Sequence, residues 1–144
     1  MSDANTINLP NRLVAMHNRT LATYLTFAAP AWHGGEEVAK ETLRLMADDQ
    51  RETAARIAAM ITESSGVVDN GEYPMYYTGY HDLSSEFLVG EIIKETKKEI
   101  AEIEEIADAL RLNPLAKAAA DEALGAAKGH LESLNELESS AAKA

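Results

Sequence analysis

A link of 16 residues, GVVDNGEYPMYYTGYH (66–81), divides the chain into two halves. Extended at about 3.3 Å per residue it reaches roughly 53 Å, whereas a helix of about 28 residues is roughly 42 Å long. The link can therefore run the whole length of such a helix and return the chain to the end where that helix began. The remaining connections are short, and short connections hold their flanking helices antiparallel.

Four amphipathic stretches flank these connections, punctuated by Gly, Pro and Asn. The first, about Leu9 to Ala29, starts behind Asn8 with Pro10 in its first turn and carries Leu13, Met16, Tyr24 and Phe27 on one face before Pro30 and HGG end it. The second runs from about Glu36 to Ser64, with two glutamates at its positive end. A third, about Asp82 to Leu110, has the stripe Leu88, Ile92, Ile103, Ile106 and Leu110. The fourth opens with Asn113 as cap and Pro114 in the first turn, then continues through Leu115, Leu124, Leu131, Leu134 and Leu137. Nothing reads as a strand. At 144 residues the expected fold is a single all-α domain, a four-helix bundle of two antiparallel hairpins joined by a long crossover.

Charge restricts the partners. With 24 acidic and 13 basic residues the net charge is −11, which argues against nucleic acid or an anionic membrane and favours cations. There is no cysteine, so any metal must be held by imidazole and carboxylate. The N-terminal residues lack the basic and apolar regions of a signal peptide and no run is long enough to span a membrane, which makes the cytoplasm the expected location.

In antiparallel hairpins, residues equidistant from the turn lie at the same depth. His17, Asp49 and Glu52 have separations of 32 and 3 residues, and Glu95, Ala127 and His130 repeat those separations after a shift of 78. Residues three apart share a helical face, so a polar layer between the helices is expected, and such a layer is costly unless protons or a metal neutralise it. Glu91, Glu99 and Glu102 compete with Glu95 for the inward place. With neutral histidines the five side chains His17, Asp49, Glu52, Glu95 and His130 carry −3; one divalent ion leaves −1 and two leave +1.

The chain resembles the ferritin-like superfamily, most nearly the bacterioferritins, over nearly its whole length. LATYLTFAA resembles that family's first helix, with Tyr24 seven residues after the metal-ligand position, here His17; ADDQRETAARIAAMI resembles the second and AKGHLESL the fourth. The resemblance implies a metal held by His17, Asp49, Glu52, Glu95 and His130, with iron first and manganese or zinc also suited, and with ferroxidase or other oxidoreductase activity. It also implies self-association, most simply a dimer. The chain departs from the family at three ligand places: His17 replaces a Glu, Asp49-x-x-Glu52 replaces Glu-x-x-His, and Ala127 replaces the bridging Glu before His130. Two ions would need His17 with Glu52, Glu95 with His130, and Asp49 as bridge. The absent second bridge favours one ion.

The alternative is a metal-free degenerate bundle, its histidines paired to carboxylates, acting as a structural or protein-interaction module. Of the remaining features, Tyr73, Tyr76, Tyr77 and Tyr80 are expected to pack the crossover onto the helices, and His81 to neighbour a cap. Gly125 and Gly129 are expected to allow close helix approach. Arg51 and Lys128 read as solvated charges, or as guides for a substrate or partner.

Overall fold

A computed structural model describes residues 4–28, 36–80 and 83–143. Among these the secondary structure is helical: α1 (Ala4–Asn18), α2 (Leu21–Ala28), α3 (Glu37–Glu63), a 3-10 helix (Met75–Tyr80), α4 (Ser85–Ala109) and α5 (Pro114–Lys143). The expected stop at Pro30 and HGG, the His81–Asp82 start and the side chain of Phe27 lie outside the described residues. No helix among the described residues is long and apolar enough to cross a membrane.

The expected first helix is two. Pro10 lies inside α1 rather than in its first turn, and the chain leaves the helix at Arg19 and Thr20. Threonine hydroxyls cause the interruption by competing for backbone groups. Thr20 Oγ1 accepts from the Thr23 amide at 3.0 Å, as an N-cap does, while Thr23 Oγ1 donates to the Asn18 carbonyl at 3.1 Å. The Leu21 amide, freed from α1, donates to Glu95 Oε2 of α4 at 3.0 Å.

Helix ends elsewhere follow local chemistry. Ser84 caps α4 by accepting from the Phe87 amide at 3.2 Å, and Asn113 caps α5 through the Ala116 amide at 3.3 Å. At the end of α3 the Gly66 amide reaches the Ile61 carbonyl at 2.8 Å and the Ser65 amide reaches Thr62 at 3.0 Å, a Schellman motif. Its left-handed position is held by Ser65 at φ 62° instead of glycine.

The linking segment lies along α1 and α2. Asn11 bonds Val67 and Asp69, Asn18 bonds Asn70, and Tyr73 donates to Thr23. A Cβ at Gly71, which has φ +68°, would stand 2.8 Å from Ala15 Cβ, so only glycine suits this approach. Ser85 then donates to Glu36 at 2.5 Å, bringing the start of α4 beside the start of α3. As expected, tyrosines fasten the link: Tyr77 is buried, with ring centroids 5.5 Å from Tyr24 and 5.0 Å from Tyr76. Met75 and Tyr76 are exposed.

α1 and α2 pack on α3, α4 on α5, and α3 on α5. Arg12 pairs with Glu102 and Leu21 with Glu95, so α1–α2 and α4 run antiparallel; Asp49 meets His130 and Arg56 meets Glu122, so α3 and α5 do likewise. The exposed Arg12–Glu102 and Arg56–Glu122 pairs mark register and add little stability.

Among the described residues two apolar clusters form the core. One joins Leu13 and Val14 to Ile57, Ile61, Ile103, Ile106 and Ala120; the other joins Leu21 and Leu25 to Leu43, Met46, Tyr77, Leu88, Ile92 and Leu134. The buried face of α5 in the first cluster is alanine-rich, through Ala116, Ala120, Ala123 and Ala127, and Leu115 is 78% exposed. Gly125 and Gly129 face open space, so they do not serve close helix approach.

Ser65→Gly is expected to raise the unfolding free energy by roughly 0.5–1 kcal/mol, because the left-handed backbone costs a non-glycine residue about 1–2 kcal/mol, part of which glycine returns as entropy. Urea denaturation measures it. A loss of stability would contradict the αL cap.

Candidate functional site

Between the two apolar clusters the interior turns polar. His17, Thr20, Gln50, Thr53 and Thr96 are buried there, His17 to 6% exposure. A cavity of about 10 Å³ is lined by His17, Gln50, Thr53, Thr96, Glu99, His130 and three alanines of α5, Ala123, Ala126 and Ala127. That is close to the room one water needs.

Heptad-like spacing positions these groups. The α3 residues that face inward are Leu43, Met46, Gln50, Thr53, Ile57 and Ile61, and in α4 they include Ile92, Thr96, Ile103 and Ile106. Continuing the α4 spacing puts Glu99 on the same face. The layer is therefore one residue out of register with the expected ligand set on α3. Gln50 and Thr53 take the inward places, Asp49 lies at the edge, and Glu52 is exposed. Extending the apolar stripe Leu43, Met46, Ile57 and Ile61 through the polar stretch would have located Gln50 and Thr53, and the stripe Ile92, Ile103 and Ile106 likewise points to Thr96 and Glu99.

The two histidines are held in complementary ways. His17 Nδ1 stands 2.7 Å from the Leu13 carbonyl; an oxygen that can only accept places the proton on Nδ1 and leaves the Nε2 lone pair uncommitted. On α5, His130 Nε2 stands 2.7 Å from Asp49 Oδ2, and its Nδ1 is buried with no hydrogen-bond partner among the described residues. Each ring thus keeps one nitrogen free while a carbonyl or a carboxylate orients the other.

Glu95 is committed elsewhere. It accepts from the Leu21 amide at the start of α2 and from the Tyr77 hydroxyl, where an anion also suits the helix dipole. Burial raises its pKa above the ordinary carboxylate value, with those two hydrogen bonds opposing the rise. Tyr77 is pushed upward as well, by burial and by the adjacent carboxylate.

Glu99, one turn beyond Glu95, is raised well above the ordinary value, first by burial and then by repulsion from Glu95 and Glu102. His17 is shifted downward, mainly by burial, with His130 reinforcing the shift while the Leu13 hydrogen bond and Asp49 oppose it. The layer thus favours the uncharged forms of His17 and Glu99. Glu91 pairs with Lys94 and Glu102 with Arg12 at the surface.

The dinuclear arrangement implied by the ferritin-like resemblance does not fit. One bridging place is Ala127, Glu52 faces solvent, and Glu95 caps α2. Among the described residues, no group of three or more His, Asp and Glu side chains is disposed to hold a metal ion as it stands. Comparison with family models, curated proteins and solved structures returns no match.

Tyr77→Phe is expected to cost about 1.5–3 kcal/mol, the range for a buried hydrogen bond to a charged group; denaturant unfolding at neutral pH measures it, and a neutral result would mean Glu95 is satisfied without the phenol. The raised Glu99 pKa stabilises the fold below about pH 4.5, its unfolded value, and that contribution is lost as pH rises through the native value. The lowered His17 pKa acts the other way, so stability is lost as pH falls below 6.5. Glu99→Gln is therefore expected to match the parent protein near pH 4 and to exceed its stability increasingly toward pH 8, in metal-free buffer. Equal stability of both proteins across that range would contradict a buried carboxyl.

Proposed function

We propose that the chain is a ferritin-like four-helix protein that binds one divalent transition metal ion, iron, manganese or zinc, in its central polar layer. The ferritin-like reading is supported by the antiparallel pairings of α1–α2 with α4 and of α3 with α5. The link along α1 and α2 also supports it, because it brings α4 to begin beside the start of α3.

The observation that carries the metal reading is the orientation of His17 and His130. Metal-ligating histidines almost always donate their second ring N–H to a backbone carbonyl or carboxylate, which fixes the tautomer and turns the lone pair to the metal. His17 with the Leu13 carbonyl and His130 with Asp49 have this form, and both rings line one cavity with Glu99. Two imidazoles and one carboxylate would hold the ion, and Asp49 would steady His130 from outside. A bound ion would supply Lewis acidity and, if iron or manganese, a redox couple. The protein's own part is to hold the buried His17 imidazole neutral, to aim the His130 ring through Asp49, and to keep the Glu99 carboxyl at hand. The absent bridge at Ala127 favours a single ion over the paired irons of ferroxidases.

The metal-free module is favoured by one set of observations: Thr20 with Gln50, Glu95 with Tyr77 and Leu21, and His130 with Asp49 already satisfy much of the layer internally.

Calorimetric titration of chelator-stripped protein with Zn²⁺, Mn²⁺ or anaerobic Fe²⁺ separates the two readings. The expected result is one ion per chain, with Asp49→Asn weakening binding by roughly 10–100-fold, His17→Ala and His130→Ala weakening it further, and Glu95→Gln leaving it unchanged. No uptake would favour the metal-free module, and uptake indifferent to both histidines would overturn the central layer as the metal site.

A further inference from the structure

On the outside of the molecule, where α1 breaks, a cleft of about 320 Å³ is lined by Asn18, Arg19, Arg51, Asn70 and Tyr73. The chain has 24 acidic and 13 basic residues, yet these five include two arginines and no carboxylate. The cleft is also built rather than loosely formed. Arg19 Nε donates to the carbonyls of Asn70 and Gly71, each at 3.1 Å, and its guanidinium carbon lies 4.9 Å from the centre of the Tyr73 ring. Asn18 Nδ2 donates to Asn70 Oδ1 at 2.9 Å, and Gly71, pressed on Ala15, fixes the segment that supplies both carbonyls.

This fastening decides which groups remain free. Among the described residues the hydrogen bonds of Arg19 run through Nε alone, so the two Nη groups of its fork are available. With its oxygen taken by Asn18, the Asn70 amide keeps its N–H donors. The carbonyls that would repel an anion are turned toward Arg19. From α3, Arg51 contributes a second guanidinium, loosely held by Asp48 at 3.3 Å. A planar fork fixed before the ligand arrives loses little entropy on binding and matches an oxyanion with two parallel hydrogen bonds.

We infer that this cleft binds a phosphate-class dianion, either inorganic phosphate or the phosphoryl end of a small phosphomonoester, between Arg19 and Arg51. Two guanidiniums match a dianion better than a single carboxylate, and the volume exceeds what a bare oxyanion fills. The net charge of −11 opposes anions at long range, so binding depends on these local donors. The cleft is independent of the central layer.

The test is titration of the chelator-treated full chain with inorganic phosphate and with phenyl phosphate, followed by ³¹P NMR and calorimetry, with acetate as the monoanion control. Saturable binding of one or both phosphates is expected, weakened about tenfold by Arg51→Gln and at least partly by Arg19→Lys, which keeps the charge and loses the fork. Asp48→Asn is expected to tighten binding about two- to threefold by releasing Arg51. Tighter binding of phenyl phosphate assigns the site to an ester, and equal binding assigns it to free phosphate. Arg51 is exposed, so Arg51→Gln tests the site without disturbing the segment that Arg19 braces. No saturable binding up to about 10 mM, a Kd limit near 2.7 kcal/mol, would overturn the inference. So would acetate binding as tightly as phosphate, or Arg51→Gln binding as tightly as the parent protein.

Discussion

A helical interior that is apolar at both ends and polar in the middle must satisfy its middle. Thr20, Gln50 and Thr96 do so with short hydroxyl and amide groups that bond one another or a nearby carbonyl. Glu95 does so by a longer route. Its carboxylate meets the amide that the break between α1 and α2 exposes, and the Tyr77 hydroxyl fills its other oxygen. The break, the carboxylate and the buried tyrosine of the linking segment thus depend on one another. An isolated buried charge at that depth would cost several kcal/mol.

Most of the fold was legible because helices announce themselves by apolar spacing and by caps. Asn113 and Pro114 begin α5 as their chemistry dictates, and the stripe of α4 from Leu88 to Leu110 is buried as read. Legibility failed where local signals competed. Pro10 suggests a helix start, yet α1 continues through it. Thr20 and Thr23 look compatible with a continuous helix, yet their hydroxyls bond backbone groups at the break while Glu95 from a distant helix takes the freed Leu21 amide. Leu115 reads as core by composition but lies outside the face that Ala116 and Ala120 define.

The central layer shows the same limit in sharper form. The paired spacing of His17, Asp49 and Glu52 with Glu95, Ala127 and His130 set both histidines at one depth, and both line the same small cavity. Yet it missed the rotation of α3 and α4, since residues one position apart on a helix differ by about 100° in direction. Gln50, Thr53 and Thr96 carry no charge, so a search for ligands passes over them. Glu99 was among the competing glutamates, and only packing distinguishes it from Glu95. Because Asp49 touches His130 from the edge of the layer, it can orient the ring without entering the cavity, and two imidazoles with uncommitted nitrogens remain the chemically distinctive feature of the layer.

Anomalous diffraction at the metal edges, from crystals of protein purified without chelator, tests the central claim most directly. A single peak within bonding distance of His17 Nε2 and His130 Nδ1, with the Glu99 carboxylate turned toward it, is the result this structure leads us to expect. A water or an empty cavity between the two rings, with both imidazoles as they now stand, would contradict it and leave a helical protein whose polar layer serves the fold alone.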